Sequence, residues 1–571
     1  MSSTKLVIVG GVAAGASAAT KARREDELAE IILVEKGPYV SYANCGLPYY
    51  VSGEIGDRGK LLVTTPQVFE KRFNVKVLLR NEAVGINLHQ RTLEVRDLEK
   101  GQTIELPYDA LILAPGAAPI VPPFPGKDAP NFFQLRNVPD ADGLYEFLSV
   151  HKPKRALVVG GGFIGLECAE AFARRGLEVT LVEKLEHVLP NLDEDMAAYV
   201  EGALEEIGVR LVLGRGVQAF EKNDQGFIVK AFLEGGDAIE CDLVLLAIGV
   251  RPDAKLAKEA GIAIGETGAI KVNDRMETSV PGVFAAGDAV ESLNLVTGRP
   301  GWFALAGPAN QQGRVAGANA VGKDLRFKGT LGTFIVRAGK AVAAETGLSE
   351  KEALKEGYDV CKVLIHPNHH AGYYPGAKPL HMKVLAEKGT GRLLGAQIVG
   401  EEGVDKRIDV LSSALFFKAN VQDLGDLNLA YAPPFGSARD PVNQAGLVGS
   451  HLVSGEIDSY DPVRAARGSD SDKDSVVFLD VREPKEFEEE HIPGAINVPL
   501  SVLRQSMDRL KEVLGEKQAV LYCNVGYRSY LAYRALKHRG IQGLKGFLGG
   551  FTSFKVLQGK AQMEAKNGNE S

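Results

Sequence analysis

The chain is poor in cysteine and nearly devoid of tryptophan: five cysteines and one tryptophan in 571 residues. Cys45, Cys168, Cys241, Cys361 and Cys523 lie far apart, are odd in number and show no zinc spacing. That excludes a disulfide framework and gives no metal site; it fits a reducing cytoplasm. No apolar run reaches the roughly 18–20 residues of a membrane span. Met1 to Lys5 leads straight into a strand rather than into a signal peptide. Positive charge is also in short supply. A net charge of −7 gives no support for nucleic-acid binding as the main task.

Glycine, by contrast, is abundant at 65 residues, which suits a backbone that approaches phosphates closely. A chain this long exceeds one core, and three to four domains are expected at roughly 150 residues each. Residues 5–10 read as a buried strand that runs into Gly10-Gly11-Val12-Ala13-Ala14-Gly15 and an alanine-rich helix. A strand, a glycine turn and a helix N-terminus together form a pyrophosphate cradle, because free N–H groups and the helix dipole face the anion. Glu35, beside Lys36, closes the next strand and is placed to take a ribose hydroxyl pair. Val12 departs from the Gly-x-Gly-x-x-Gly pattern. The device returns at 157–165, where Gly160, Gly162 and Gly165 match in full around Phe163 and Ile164. Glu183 ends the following strand. It would accept from a ribose 2′-hydroxyl and repel a 2′-phosphate, favouring NADH, while Lys184 leaves NADPH open. Two cradles imply two dinucleotides.

Ser41-Tyr42-Ala43-Asn44-Cys45-Gly46-Leu47-Pro48-Tyr49 places one cysteine at a turn running into a helix start, where a helix N-terminus lowers a thiol pKa. A buried packing cysteine is the alternative reading of this stretch alone. Lys21 and Arg24, three apart, share a helix face that could hold a phosphorylated nucleotide tail or simply be solvated. Cys168, Cys241 and Cys361 read as packing residues.

Further strand-to-turn segments at 111–116, 245–253 and 283–289 complete a set that resembles the two-dinucleotide-binding flavoprotein disulfide reductases. The resemblance implies FAD on the first cradle and NAD(P)H on the second. It also implies flavin contacts from Gly287 and Asp288, and the cofactor contacts Asn44, Val84, Ala114, Gly116, Gly249, Ala306 and Phe435. Tyr50 stands where the two-cysteine members carry their second cysteine. The stretch around Cys45 therefore resembles the single-cysteine branch of coenzyme A disulfide reductases, NADH oxidases and NADH peroxidases. In that branch the cysteine forms a mixed disulfide or a sulfenic acid. The same resemblance assigns Ser17, Lys21, Arg24, Ser41, Asn44, Arg72, Asn310, Tyr373 and Arg439 to coenzyme A. It also sets Tyr373 and Tyr431 near the sulfur of the other subunit of a homodimer.

The last stretch, with Cys523 ending a strand and a six-residue loop through Asn524, Val525, Gly526, Tyr527 and Arg528, resembles a rhodanese domain. Successive N–H groups around one cysteine make an anion nest that favours a thiolate and then a persulfide.

The expected fold class is α/β: two Rossmann-like FAD- and NAD-binding domains, an α+β dimerisation domain and a C-terminal α/β rhodanese domain. The boundaries are 1–150 and 273–328 for the flavin part, 151–272 for the nicotinamide part and 329–453 for dimerisation. A linker at 454–475, a rhodanese domain at 476–560 and a disordered tail at 561–571 complete the chain. The linker would keep the two sulfur sites at high effective concentration. The implied activity is an FAD- and NADH-dependent reductase of coenzyme A persulfide, polysulfide or coenzyme A disulfide, with no metal. The alternatives are an NADH oxidase or peroxidase and a flavin-gated sulfurtransferase.

Overall fold

The computed structural model describes residues 3–468, 475–506, 510, 512, 514–515 and 517–569. They divide into two units, 1–184 with 208–332, and 185–207 with 333–571.

The first unit repeats one plan. Strands Val283–Ala285, Ala110–Leu113, Lys5–Val9, Glu30–Glu35 and Val75–Leu79 form a parallel sheet in that order. Strands Val209–Val212, Glu178–Val182, Arg155–Val159, Leu243–Leu246 and Phe132–Phe133 form a second parallel sheet. Their centres, such as Leu6-Val7-Ile8 and Leu157-Val158, are fully buried, as strands covered on both faces require. A three-stranded antiparallel sheet accompanies each: 81–107 with the first and 217–240 with the second. The Ala13–Glu25 helix packs on Ala306–Ala320 at backbone contact distance. A Cβ on Gly313 would lie 2.2 Å from Ala14 O, and one on Gly317 2.2 Å from Ala18 O, so only glycine lets these helices meet.

The second unit holds an antiparallel sheet in the order Phe334–Ala338, Ala341–Gly347, Leu393–Gly400, Leu380–Glu387 and Val360–Ile365. The Glu194–Glu206 helix belongs here, although the expected boundary put it in the nicotinamide domain. Its apolar face, Met196, Ala197, Val200 and Leu204, is buried, and a charge network joins it. Lys383 on the sheet is 1% exposed and binds Asp195 at 2.8 Å, Asp193 at 3.0 Å and Glu350 at 2.6 Å. A lysine this deep keeps its charge only among acids: burial pulls its pKa down, and these acids outweigh burial and leave it raised.

The rhodanese part is a parallel sheet in the order Ser459–Tyr460, Leu544–Phe547, Gln518–Tyr522, Val476–Asp480 and Ile496–Asn497. Its edge strand corrects the expected linker: 459–466 folds as a strand and a helix, with Asp461 capping Val463 N–H at 2.9 Å, while 469–474 lie outside the described residues. This part is also fastened to the rest of its unit, so the flexible-tether argument does not hold for the described residues. Ser553 meets His366 Nε2 at 2.7 Å, Lys560 pairs with Glu201 at 3.2 Å, Arg467 with Glu194 at 2.6 Å, and Lys362 with Asp461. The expected tail is corrected too. The backbone helix runs Gly550–Asn569, because adding a residue such as Ala561 or Ala565 to a formed helix costs little; residues 570–571 lie outside the described set.

Two outcomes are expected. Lys383→Ala takes the lysine from Asp193 and Asp195, while Glu350 keeps Lys362, and lowers unfolding stability by about 3–5 kcal/mol, read by chemical denaturation. Burial pushes the His381 imidazole down to about 4. The unfolded chain therefore takes up this proton first, and stability falls as pH drops from the free-histidine range of about 6.5. In His381→Gln the melting temperature should lose less over that interval than in the unchanged protein.

Candidate functional site

Each first strand ends in a left-handed glycine, Gly10 at φ 93° and Gly160 at φ 108°. A Cβ there would strike Ala114 O at 2.1 Å or Ala247 O at 2.4 Å. The helices then start at Ala13 and Phe163, with Val12 and Gly162 as their N-caps. Val12 has φ −99°, so the missing second glycine is not required for a left-handed turn. A Cβ on Gly162 would meet open space, as a seat for a pyrophosphate requires. The two acids hold their turns alike: Glu35 accepts from Gly11 N–H at 2.7 Å, and Glu183 accepts from Gly161 N–H at 2.6 Å. Lys36 and Lys184 are exposed and pair with Glu82 and Glu234. Asp288 follows Gly287 at φ 80°. Burial pushes its carboxyl up, against Arg136 at 3.9 Å. Ala114 stands just past its strand, Gly116 and Gly249 have positive φ, Val84 lies in an edge sheet, and Ala306 opens its helix. These features fit a bound flavin dinucleotide on the first cradle and a nicotinamide dinucleotide on the second.

The cysteine stretch is laced to the first cradle by Ser41, whose N–H donates to Gly11 O at 2.8 Å and whose φ is 49°. Cys45 occupies a turn, Asn44–Gly46, ahead of the short Leu47–Ser52 helix. Asn44 Oδ1 accepts from Cys45 N–H at 3.0 Å and lies 3.7 Å from Sγ. Tyr50 is buried and stacked on Tyr145 at 4.9 Å, filling the position of a second cysteine with packing. Among the described residues Cys45 is exposed, whereas Cys168, Cys241, Cys361 and Cys523 are buried.

The expectation that this turn by itself makes a thiolate needs correction. Partial burial pushes the Cys45 thiol up, and the Glu167 and Asp288 carboxylates add to it. Its own backbone N–H and Arg136 pull the other way without offsetting them. Glu167 and Tyr49, whose hydroxyl donates to Glu167 at 3.0 Å, escaped the sequence reading. Glu167 was visible as an acid two residues past Gly165 on the cradle helix; Arg136 carries no local pattern.

Of the coenzyme A candidates, Ser17 and Asn310 meet, hydroxyl to Oδ1, at 2.6 Å. Lys21 is engaged by Glu25, so the basic face is not clean, while Arg24 is exposed. Arg72 is exposed at the end of the Pro66–Phe73 helix, and no hydrogen bond among the described residues ties it to the Cys45 stretch. In the second unit the Tyr373 and Tyr431 hydroxyls lie 3.0 Å apart. Phe435 and Arg439 are exposed.

Cys523 ends the Gln518–Tyr522 strand. The expected ring of N–H groups is narrower than foreseen: among the described residues, Gly526 N–H reaches Sγ at 3.2 Å and the Ser529 hydroxyl at 3.7 Å. Gly526, at φ 104°, is left-handed where the loop enters its helix. Val525 and Tyr527 are exposed on the loop.

A family model described as pyridine nucleotide-disulphide oxidoreductase matches residues 4–313. The chain belongs to that family. Its dimerisation-domain model matches 339–441 and a rhodanese-like domain model matches 465–557. This oxidoreductase is similar to an NAD(P)H sulfur oxidoreductase (CoA-dependent) of Pyrococcus abyssi, 38% identical over 76% of this chain and 96% of that protein. Among solved structures it resembles reduced Bacillus anthracis CoADR-RHD, at 43% identity, TM-score 0.93 and coverage of 98% and 99%. It also resembles a NAD-dependent persulfide reductase from A. fulgidus, at 37% identity, TM-score 0.89 and coverage of 96% and 99%. The family implies FAD and NAD(P)H as cofactors, which the two cradles fit. None of the described helices is long and apolar enough to cross a membrane.

In this disulphide oxidoreductase, Glu167→Gln should let Cys45 alkylate at lower pH than in the unchanged protein. The check is the pH profile of iodoacetamide labelling of the Cys45 peptide; a midpoint that stays or rises rejects the role given to the Glu167 charge.

Proposed function

We propose that the chain is an FAD- and NADH-dependent reductase of sulfane sulfur or disulfide carried on coenzyme A. It acts as a homodimer in a reducing cytoplasm. The observation that carries this reading is one exposed cysteine, Cys45, beside a flavin-type cradle with a buried tyrosine at position 50. Its partner sulfur must then come from a substrate.

Gly10, Gly15, Glu35, Gly287 and Asp288 would hold the flavin, and Gly160, Gly165 and Glu183 the nicotinamide dinucleotide. Bound flavin supplies two-electron transfer between nicotinamide and sulfur. The protein's own groups do the rest. The Cys45 thiolate attacks a disulfide sulfur of the carrier and a mixed disulfide forms. One coenzyme A thiolate leaves, and two electrons originating in NADH cleave the new S–S bond. Asn44 fixes the thiol, and Glu167, held by Tyr49, keeps it protonated until substrate or cofactor changes its surroundings. Ser17, Asn310, Lys21 and Arg24 lie on helix surfaces suited to the nucleotide tail, and Tyr373, Tyr431 and Arg439 serve the partner's site. Cys523 carries sulfane sulfur to or from this centre.

Cys45→Ser should abolish NADH-dependent persulfide reduction, a loss of at least about a thousandfold as for a missing nucleophile, while the flavin spectrum stays. Mass analysis of the oxidised, denatured protein should show coenzyme A on the Cys45 peptide. Oxygen adducts alone would favour an oxidase or peroxidase, and full activity of the serine variant would end the proposal.

A further inference from the structure

The Cys523 loop is closed by a residue outside it. Glu486, on the Pro484–Glu489 helix, accepts from Arg528 Nη1 at 2.6 Å and from Arg528 Nη2 at 2.7 Å. It also accepts from Asn524 Nδ2 at 3.1 Å. One carboxylate thus ties the residue after the cysteine to the last residue of the loop. The other end of the Asn524 amide accepts from Arg482 at 3.2 Å, and Arg482 is buried and locked on Asp480. The guanidinium of Arg528 is in this way held in place and its charge matched by a carboxylate. A bidentate pair of this geometry is the strong form of the interaction.

The surroundings point in one direction. A cavity of about 390 Å³ beside the loop is lined by Glu486, Glu489 and Glu490 against Arg482 and Lys555. Both cations are already paired, Arg482 with Asp480 and Lys555 with Glu490. The exposed rim of the loop, Val525 and Tyr527, is apolar. Small dianions need uncompensated positive charge; an organic arm needs an apolar rim and tolerates a neutralised cation.

We propose that Glu486 is the specificity-determining positioning residue of the Cys523 loop, selecting an organic persulfide as sulfur donor over a small inorganic dianion such as thiosulfate. This rests on the reading of Cys523 as a sulfur carrier. In the transfer, the Cys523 thiolate attacks the outer sulfur of R–S–S⁻, the S–S bond of the donor breaks, and R–S⁻ leaves with the electron pair. Cys523–S–S⁻ forms, and charge and oxidation state balance without a further reactant.

The test uses the full-length holoenzyme in a Cys45→Ser background, so that only Cys523 takes up sulfur. Labelling of the Cys523 peptide by anionic iodoacetate is compared with neutral iodoacetamide, and sulfur transfer from thiosulfate is compared with that from coenzyme A persulfide. Glu486→Gln should raise the iodoacetate-to-iodoacetamide rate ratio, and the thiosulfate-to-persulfide ratio of kcat/KM, each by about tenfold, as release of one nearby charge predicts. Arg528→Gln should lower both, and the double variant should return towards the unchanged protein. Ratios that do not move in Glu486→Gln, or that move the same way in both single variants, overturn the proposal. A chain whose Cys523 gains sulfur from neither donor would refute the sulfur-carrier reading instead, while the labelling ratio still judges Glu486.

Discussion

The geometry of the first unit depends on two residues that must be left-handed and bare. Gly10 and Gly160 turn the chain so tightly that the following helix starts against the end of its own strand. A second glycine, Gly15 or Gly165, lets the helix pass within backbone contact of the turn, where a Cβ would sit 1.8 or 1.9 Å from the carbonyl of Gly10 or Gly160. From that closeness the rest follows. The helix N-terminus faces the strand end, the acid of the second strand meets a turn N–H, and Ser41 bonds back to Gly11 and sets the cysteine stretch beside the cradle. Gly313 and Gly317 then bring a second helix against the first and place Asn310 on Ser17.

The second unit is organised by charge rather than by bare backbone. Lys383 and Lys362 on the sheet draw acids from the Glu350–Lys355 helix, from the 185–207 segment and from the start of the rhodanese part into one network. Burying so many charges stabilises little in sum, since desolvation consumes most of the attraction. What it does is make any other arrangement of these segments leave an acid or a lysine unpaired. The His366, His381 and Ser553 contacts serve the same end with neutral groups. His381 stacks on Tyr199 at 3.7 Å and meets His366 at 3.0 Å.

Much of the fold was legible because glycine turns, acids at strand ends and apolar strands are local patterns. Both glycine turns and the turns that carry Cys45 and Cys523 were legible in this way, and Cys168, Cys241 and Cys361 are buried, as packing residues are. The rest was hidden for definite reasons. Ser459–Tyr460 is too short to show a period, and its polar neighbours look like a linker, although Asp461-Pro462 is a helix-start signal. The Glu194–Glu206 helix has the pattern of its sequence neighbours, and its partners, Lys383 and Lys560 among them, lie almost two hundred residues or more away. The thiol of Cys45 was misjudged because burial, and then Glu167 and Asp288 from distant segments, push it up. Glu486 lies some forty residues before Arg528, and no spacing rule connects them.

The matched clasps of Gly11 by Glu35 and Gly161 by Glu183 give each acid the duty of holding a loop shut, beside the sugar contact proposed for it. A change of nicotinamide preference by replacing Glu183 alone would therefore free the Gly161 amide inside a buried turn. A substitution at 183 thus asks the new residue or a neighbour to take over the Gly161 amide if the turn is to keep its shape.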